Sequence, residues 1–141
     1  MKQRKFARIF VIFYLIAMCL MLFGCQKGET QIKKVRDLEF TVVEEADLPE
    51  NLLKTINEKK DKPFTFSYFI DTDYLYICVG YGAQKSGGYS ITVDELYLAD
   101  NAIYIDTNLL GPSKDDPVTQ VVTYPYIVVK IEYIDKVVAF N

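Results

Sequence analysis

Residues 82–96 read GAQKSGGYSITVDEL and gather the groups most suggestive of chemistry in the chain. Lys85 and Ser86 are the residues a serine–lysine dyad uses. Gly87 and Gly88 are what a phosphate-cradling loop uses. Neither chemistry fits the spacing. Adjacent residues on extended backbone project to opposite sides, so Lys85 and Ser86 are badly placed to share a proton. A phosphate loop ends in Gly-Lys-Ser/Thr and opens a helix. Here the glycines come after the Lys-Ser pair, and an alternating apolar pattern follows them.

The other candidates are weaker. The 141-residue chain has no histidine, which removes the usual proton shuttle near neutral pH and every Ser-His or Cys-His mechanism. Zinc needs Cys or His clusters that are missing from the sequence. Asp71, Asp73, Asp115 and Asp116 have suitable oxygens for calcium but lack the spaced ligand series of a calcium loop, and they read as turn residues. Cys78 lies between Ile77 and Val79 with no basic neighbour in sequence to lower its pKa, and it reads as a packed side chain. Spacing gives no sign of the paired carboxylates of a glycosidase. The sequence therefore predicts no catalytic residue, no metal site and no cofactor.

The front end points to a compartment. Lys2, Arg4, Lys5 and Arg8 precede residues 9–23, which carry no charge. That run is short of the ~20 residues of a membrane span and has the form of a secretory signal. It closes on Leu22, Phe23, Gly24 and Cys25, which resembles the bacterial lipoprotein signal. The resemblance implies cleavage before Cys25 and acylation of Cys25, giving an extracytoplasmic protein anchored to the cell membrane. Two or more acyl chains hold stably where one holds marginally. Residues 1–24 are thus expected to be a signal peptide, 25–37 a lipidated tether and 38–141 the folded domain. The 117 residues from Cys25 onward keep 12 Lys+Arg against 19 Asp+Glu, a formal net charge of −7. An acidic exported domain is a poor nucleic-acid binder, because Lys and Arg on phosphates supply most of that affinity. With Cys19 removed and Cys25 lipidated, Cys78 has no intramolecular partner.

The elements that position residues 82–96 follow from periodicity. Leu38, Phe40 and Val42 suggest a first strand. Asp47 and Glu50 have capping-box spacing before a helix over 48–60, whose Leu48, Leu52 and Ile56 share one face. Residues 64–70 and 74–81 form a predicted hairpin about an Asp71–Asp73 turn. Tyr89, Ile91 and Val93 begin the next strand, and its apolar phase slips at Asp94-Glu95 as a β-bulge would make it. Asp100-Asn101 is a turn, Ile103 and Ile105 resume alternation, and residues 111–117 are a loop. Ile127, Val129, Ile131 and Tyr133 form a last strand. The expected fold is α+β: a mainly antiparallel meander of five to seven strands, sandwich- or barrel-like, with one N-terminal helix packed on it.

Gly87 and Gly88 then read as a turn that allows positive φ and delivers Tyr89 into a strand. Ser86, Gly87, Gly88, Tyr89 and Ile91, followed by Pro117, Gln120, Tyr124, Pro125, Tyr126, Val128, Val129 and Lys130, resemble the C-terminal domain of the PrcB family of protease-complex-subunit lipoproteins. The resemblance covers roughly residues 74–131. It implies a non-catalytic, exported partner of a cell-surface protease and carries over no catalytic residue. Pro125 fixes its own φ and holds Tyr124 extended, and tyrosines are enriched at interfaces. Ser86, Gly87, Gly88 and Tyr89, lying close to Tyr124, Pro125 and Tyr126, are accordingly the expected protein-binding residues. Alternatively, both motifs only define the fold. Two other functions suit the same residues. A rigid Gly-rich turn before a strand suits a protease inhibitor, and the S-G-G-Y turn resembles the loop of Ig-like cysteine-protease inhibitors. A general envelope-binding lipoprotein would need a ligand pocket.

Overall fold

Alternating side chains on two strands decide the architecture. In both strand 74–81 and strand 126–132, odd and even positions alike are apolar over much of the length, so both faces of the sheet they form must be covered. The structure, a computed structural model that describes residues 31–141, meets that demand with three layers: a helix, a sheet, and a second sheet.

The elements in chain order are β1 (Lys34–Asp37), β2 (Thr41–Val42), a 3-10 turn (Glu45–Asp47), α1 (Glu50–Lys59), β3 (Pro63–Tyr68), β4 (Tyr74–Tyr81), β5 (Ser90–Ala99), β6 (Ile103–Leu110), β7 (Tyr126–Glu132) and β8 (Val138–Phe140). One sheet has the order β2-β7-β4-β3 and the other β1-β5-β6-β8. All pairings are antiparallel except β6 with β8, which is parallel. Leu75, Ile77 and Val79 of β4, with Ile127, Val129 and Ile131 of β7, face Leu96, Ile103 and Ile105 of the other sheet across the main core. The opposite face of β4 and β7 presents Cys78 and Val128 to Leu48, Leu52 and Ile56. Leu52 and Ile56 are fully buried; at about 1.5–3 kcal/mol per buried Leu or Ile side chain, they fix the helix to the sheet.

The α+β reading holds, and several details differ from expectation. The sheets are not a meander. Consecutive β4 and β5 lie in different sheets, as do β6 and β7, because an apolar two-faced pair must sit centrally while the β5–β6 hairpin covers it. The predicted first strand is two short ones, β1 and β2, divided between the sheets around buried Leu38. Pairing of β1 with β5 begins at Lys34, so ordered structure starts ahead of the expected boundary at residue 38. The capping box does not form: α1 starts at Glu50 with Pro49 at its N-cap and no side-chain cap, while Asp47 belongs to the 3-10 turn. Proline at that position imposes an extended entry that displaces the cap. The slip at Asp94-Glu95 is a register shift between Val93 and Glu95, as the apolar phase predicts. The expected signal peptide and the expected lipidation site, Cys25, lie outside the described residues.

Candidate functional site

Two of the crossovers that carry the chain between the sheets run side by side. Residues 82–89 lead from β4 to β5, and residues 111–125 return from β6 to β7. Gln84 and Thr123 exchange backbone hydrogen bonds in both directions, at 2.8 and 3.0 Å. The Gly87 N–H donates to the Thr119 carbonyl at 2.9 Å, and Thr123 Oγ1 donates to the Ser86 carbonyl at 2.7 Å. Beneath this joint Tyr81 of β4 and Thr107 of β6 share a hydroxyl–hydroxyl bond of 2.8 Å, tying one sheet to the other.

The glycines serve close approach. Gly88 has φ of +85°, and a Cβ there would lie 2.6 Å from Val118 Cγ1 and 3.1 Å from Pro112 Cβ. A Cβ on Gly87 would lie 2.7 Å from Thr119 Oγ1. At Gly88 only a residue without a side chain lets the two crossovers touch; at Gly87 a Cβ would have to displace the Thr119 hydroxyl. Ser86 Oγ bonds the Gly87 carbonyl at 3.1 Å, closing the turn locally. Tyr89 leaves the turn half-buried, with its ring against Gly111 at the end of β6.

The Tyr124–Pro125–Tyr126 corner enters β7. No peptide bond among the described residues is cis, so Pro125 is trans. Its carbonyl accepts from the Tyr81 N–H at 3.0 Å. The reciprocal rung needs an N–H that proline lacks, and the Gln84 side-chain amide supplies it instead, donating to the Tyr81 carbonyl at 3.2 Å. Tyr126 packs its ring into the helix layer, and its hydroxyl donates to Glu45 Oε2 at 2.7 Å. Burial first, and the Glu45 carboxylate second, push the Tyr126 phenol well above its ordinary pKa. Lys60, at the far end of α1, holds its ammonium 5.3 Å from the Tyr124 ring centroid.

The two motifs are therefore brought together, joined through Thr123, while their tyrosines diverge. Tyr89 turns toward the end of β6, and Tyr126 toward Glu45 and the helix. Sequence reasoning missed Thr119, Thr123 and Gln84, which make the joint. Their types are ordinary, and only the topology gives them partners.

The residues considered for chemistry take structural places. Asp71 Oδ1 accepts from the Asp73 N–H at 3.0 Å, and Asp116 Oδ2 from the Ser113 N–H at 2.7 Å; both are turn contacts. Among the described residues no group of three or more Cys, Asp or Glu stands close enough to hold a metal. Cys78 is fully buried between the sheet and α1, and burial pushes its thiol up to about 12, the reverse of what a nucleophile needs.

The fold and its joint define the class: an α+β domain of two unclosed sheets, held together by interlocked crossovers and backed by one helix. Residues 75–132, which contain both crossovers and the strands they connect, match the PrcB C-terminal family. That family is a protease-complex subunit rather than a catalytic protein. No curated protein and no solved structure matches the chain.

Proposed function

We propose that the chain is a lipid-anchored, non-catalytic subunit that assembles with, or stabilises, an extracytoplasmic protease at the cell surface. The observation that carries this reading is the PrcB C-terminal match across both crossovers. The residue chemistry agrees with it. The sequence has no histidine, and the thiol of Cys78 is sealed under the helix. Leu22, Phe23, Gly24 and Cys25 support the anchor, with Cys25 the acylated residue. Ser86, Gly87, Gly88 and Tyr89, with Tyr124, Pro125 and Tyr126, are the residues through which the family motif would reach a partner.

Affinity capture of the tagged full chain from detergent-solubilised membranes of its native host tests the assembly, with proteases identified by mass spectrometry. Recovery of one protease in near-stoichiometric amount is expected, with a shorter lifetime for that protease when the chain is deleted. Repeated recovery of the chain alone would sink the reading, and inhibition of the recovered protease by the chain would replace it with the inhibitor reading. Labelled acyl chains should appear on the wild type and be lost in Cys25→Ala; label retained by that variant removes the anchor.

A further inference from the structure

Strand β7 has two edges, and they are unequally filled. On one edge β4 pairs along the whole strand, from Tyr74↔Glu132 to Gly80↔Tyr126. On the other, β2 contributes only Thr41↔Lys130 and Val42↔Val129. The last contact there is the Val43 N–H on the Val128 carbonyl, at 2.9 Å. The chain then leaves the edge for the Glu45–Asp47 turn.

Backbone groups of successive residues in an extended chain point to alternate edges. The Pro125 carbonyl bonds Tyr81, and both backbone groups of Thr123 bond Gln84. Tyr124 and Tyr126 therefore aim their N–H and C=O groups at the opposite edge, the one β2 has left. Among the described residues no backbone group pairs with them there. They border a groove of about 330 Å³ between residues 42–45 and 124–128. Its lining is apolar or aromatic (Val42, Val43, Tyr124, Tyr126) apart from Glu44 and Glu45, its two formal charges. Neither carboxylate has an ion-pair partner among the described residues, although Glu45 Oε2 accepts the Tyr126 hydroxyl.

We propose that this open edge of β7 at Tyr124 and Tyr126 takes an extended basic segment of the partner protein as an added strand. Unpaired main-chain groups give such a segment affinity, and pockets for alternate side chains give it specificity. Val43 and the two tyrosines, on the helix side of the sheet, receive its apolar side chains, while Glu44 and Glu45 beside the edge meet its Lys or Arg. Pro125 fits this role, since the N–H it lacks faces β4 and not the open edge. The proposal rests on the reading of the chain as an interaction subunit, and it names the surface and the partner chemistry.

The test uses the full chain in detergent micelles and three end-capped octapeptides: alternating Lys and Val, the same peptide N-methylated at alternate amides on its pairing edge, and alternating Glu and Val. Without peptide, the Tyr124 and Tyr126 amides should exchange hydrogen at least tenfold faster than those of Ile127 and Val129, which face β4. The Lys/Val peptide should bind saturably and slow exchange at both tyrosine amides at least tenfold. The N-methylated and Glu/Val peptides should bind at least tenfold more weakly, and Glu44→Lys should narrow the Lys-over-Glu preference at least tenfold. Protection of the two tyrosine amides in the peptide-free chain overturns the proposal, whether its own segment or a second copy covers them. So does equal binding of the N-methylated peptide, or no saturable binding of the Lys/Val peptide. If membrane capture recovers a protease equally well with Glu44→Lys, the docking edge fails and the subunit reading stands; if no protease is recovered at all, the subunit reading fails.

Discussion

The side-chain amide of Gln84 donates to the carbonyl of Tyr81 across 3.2 Å, and so replaces the ladder rung that Pro125 cannot make. One residue of the first crossover thus compensates for the proline of the second. The expected cost of Gln84→Ala is about 0.5–1.5 kcal/mol, the usual net worth of a protein hydrogen bond. In a Pro125→Ala background, position 125 regains an N–H aimed at Tyr81, and Gln84→Ala should cost less. A double-mutant cycle by urea denaturation measures that coupling; strictly additive effects would show that the two residues do not share the carbonyl.

Gly87 and Gly88 are adjacent but should respond differently to alanine. Gly88 combines φ of +85° with Val118 and Pro112 in the space a Cβ would take. Backbone strain alone costs about 1–2 kcal/mol, and the clash adds to it. Gly87 does not have positive φ, and its nearest obstacle is the Thr119 hydroxyl oxygen, which can move by rotation. Thermal denaturation should rank Gly88→Ala well below Gly87→Ala. The opposite order would mean that the crossovers separate at Gly88.

The Tyr126 hydroxyl to Glu45 bond predicts behaviour in alkali. Burial, then the nearby carboxylate, raise the phenol above its ordinary value of 10.0 in the folded state. The unfolded chain therefore releases this proton first, and the stability the phenol contributes is complete below about pH 10 and declines as pH rises toward its folded pKa. Ultraviolet titration of wild type and Tyr126→Phe should assign the highest-titrating tyrosine to position 126. The variant should lose about 1 kcal/mol or less at neutral pH, because Glu45 is exposed and water takes over its hydrogen bonds.

Cys78 makes a parallel prediction from a different layer. With its thiol raised to about 12 by burial, iodoacetamide at pH 8 should leave it unmodified in the folded chain and alkylate it in urea, as peptide mapping will read. Its contribution to stability declines above about pH 9, as the unfolded thiol ionises while the folded one stays protonated. Cys78→Ser places a hydroxyl beside Val128 and Ile56 and should cost about 1–3 kcal/mol. Rapid native alkylation would mean that α1 opens readily.

Much of this was legible in the sequence where physics is local. The boundaries of β4, the Asp94-Glu95 slip and the helix stripe all came from side-chain periodicity. The turn at Asp71–Asp73 is legible from composition instead, and Asp71 Oδ1 accepts from the Asp73 N–H two residues on. What periodicity could not supply was the exchange of strands between sheets. An alternating strand reads the same whichever partner it meets, so a meander sets β4 beside β5, whereas its partners are β3 and β7. The parallel β8 went unseen because Val138, Ala139 and Phe140 are too few to carry a pattern. Asp47 misled because capping-box spacing ignores the proline that follows two residues later. For the candidate site, Gly88 and Pro125 announced themselves by type, whereas Gln84, Thr119 and Thr123 became meaningful only once the crossovers were adjacent.

The central pair β4 and β7 meets across a long stretch of chain, from Gly80↔Tyr126 to Tyr74↔Glu132, with the β5–β6 hairpin threaded between. Closing a long loop costs entropy before any contact rewards it, and that cost grows with loop length. The hairpin is local, turning at Asp100–Asn101, and its early formation would shorten the effective loop and carry β7 toward β4. Folding rates of this chain should therefore be governed by the nested hairpin. A substitution that weakens the Asp100–Asn101 turn is expected to slow assembly of the opposite sheet, to which neither residue belongs, and stopped-flow refolding monitored at that sheet would reveal the delay.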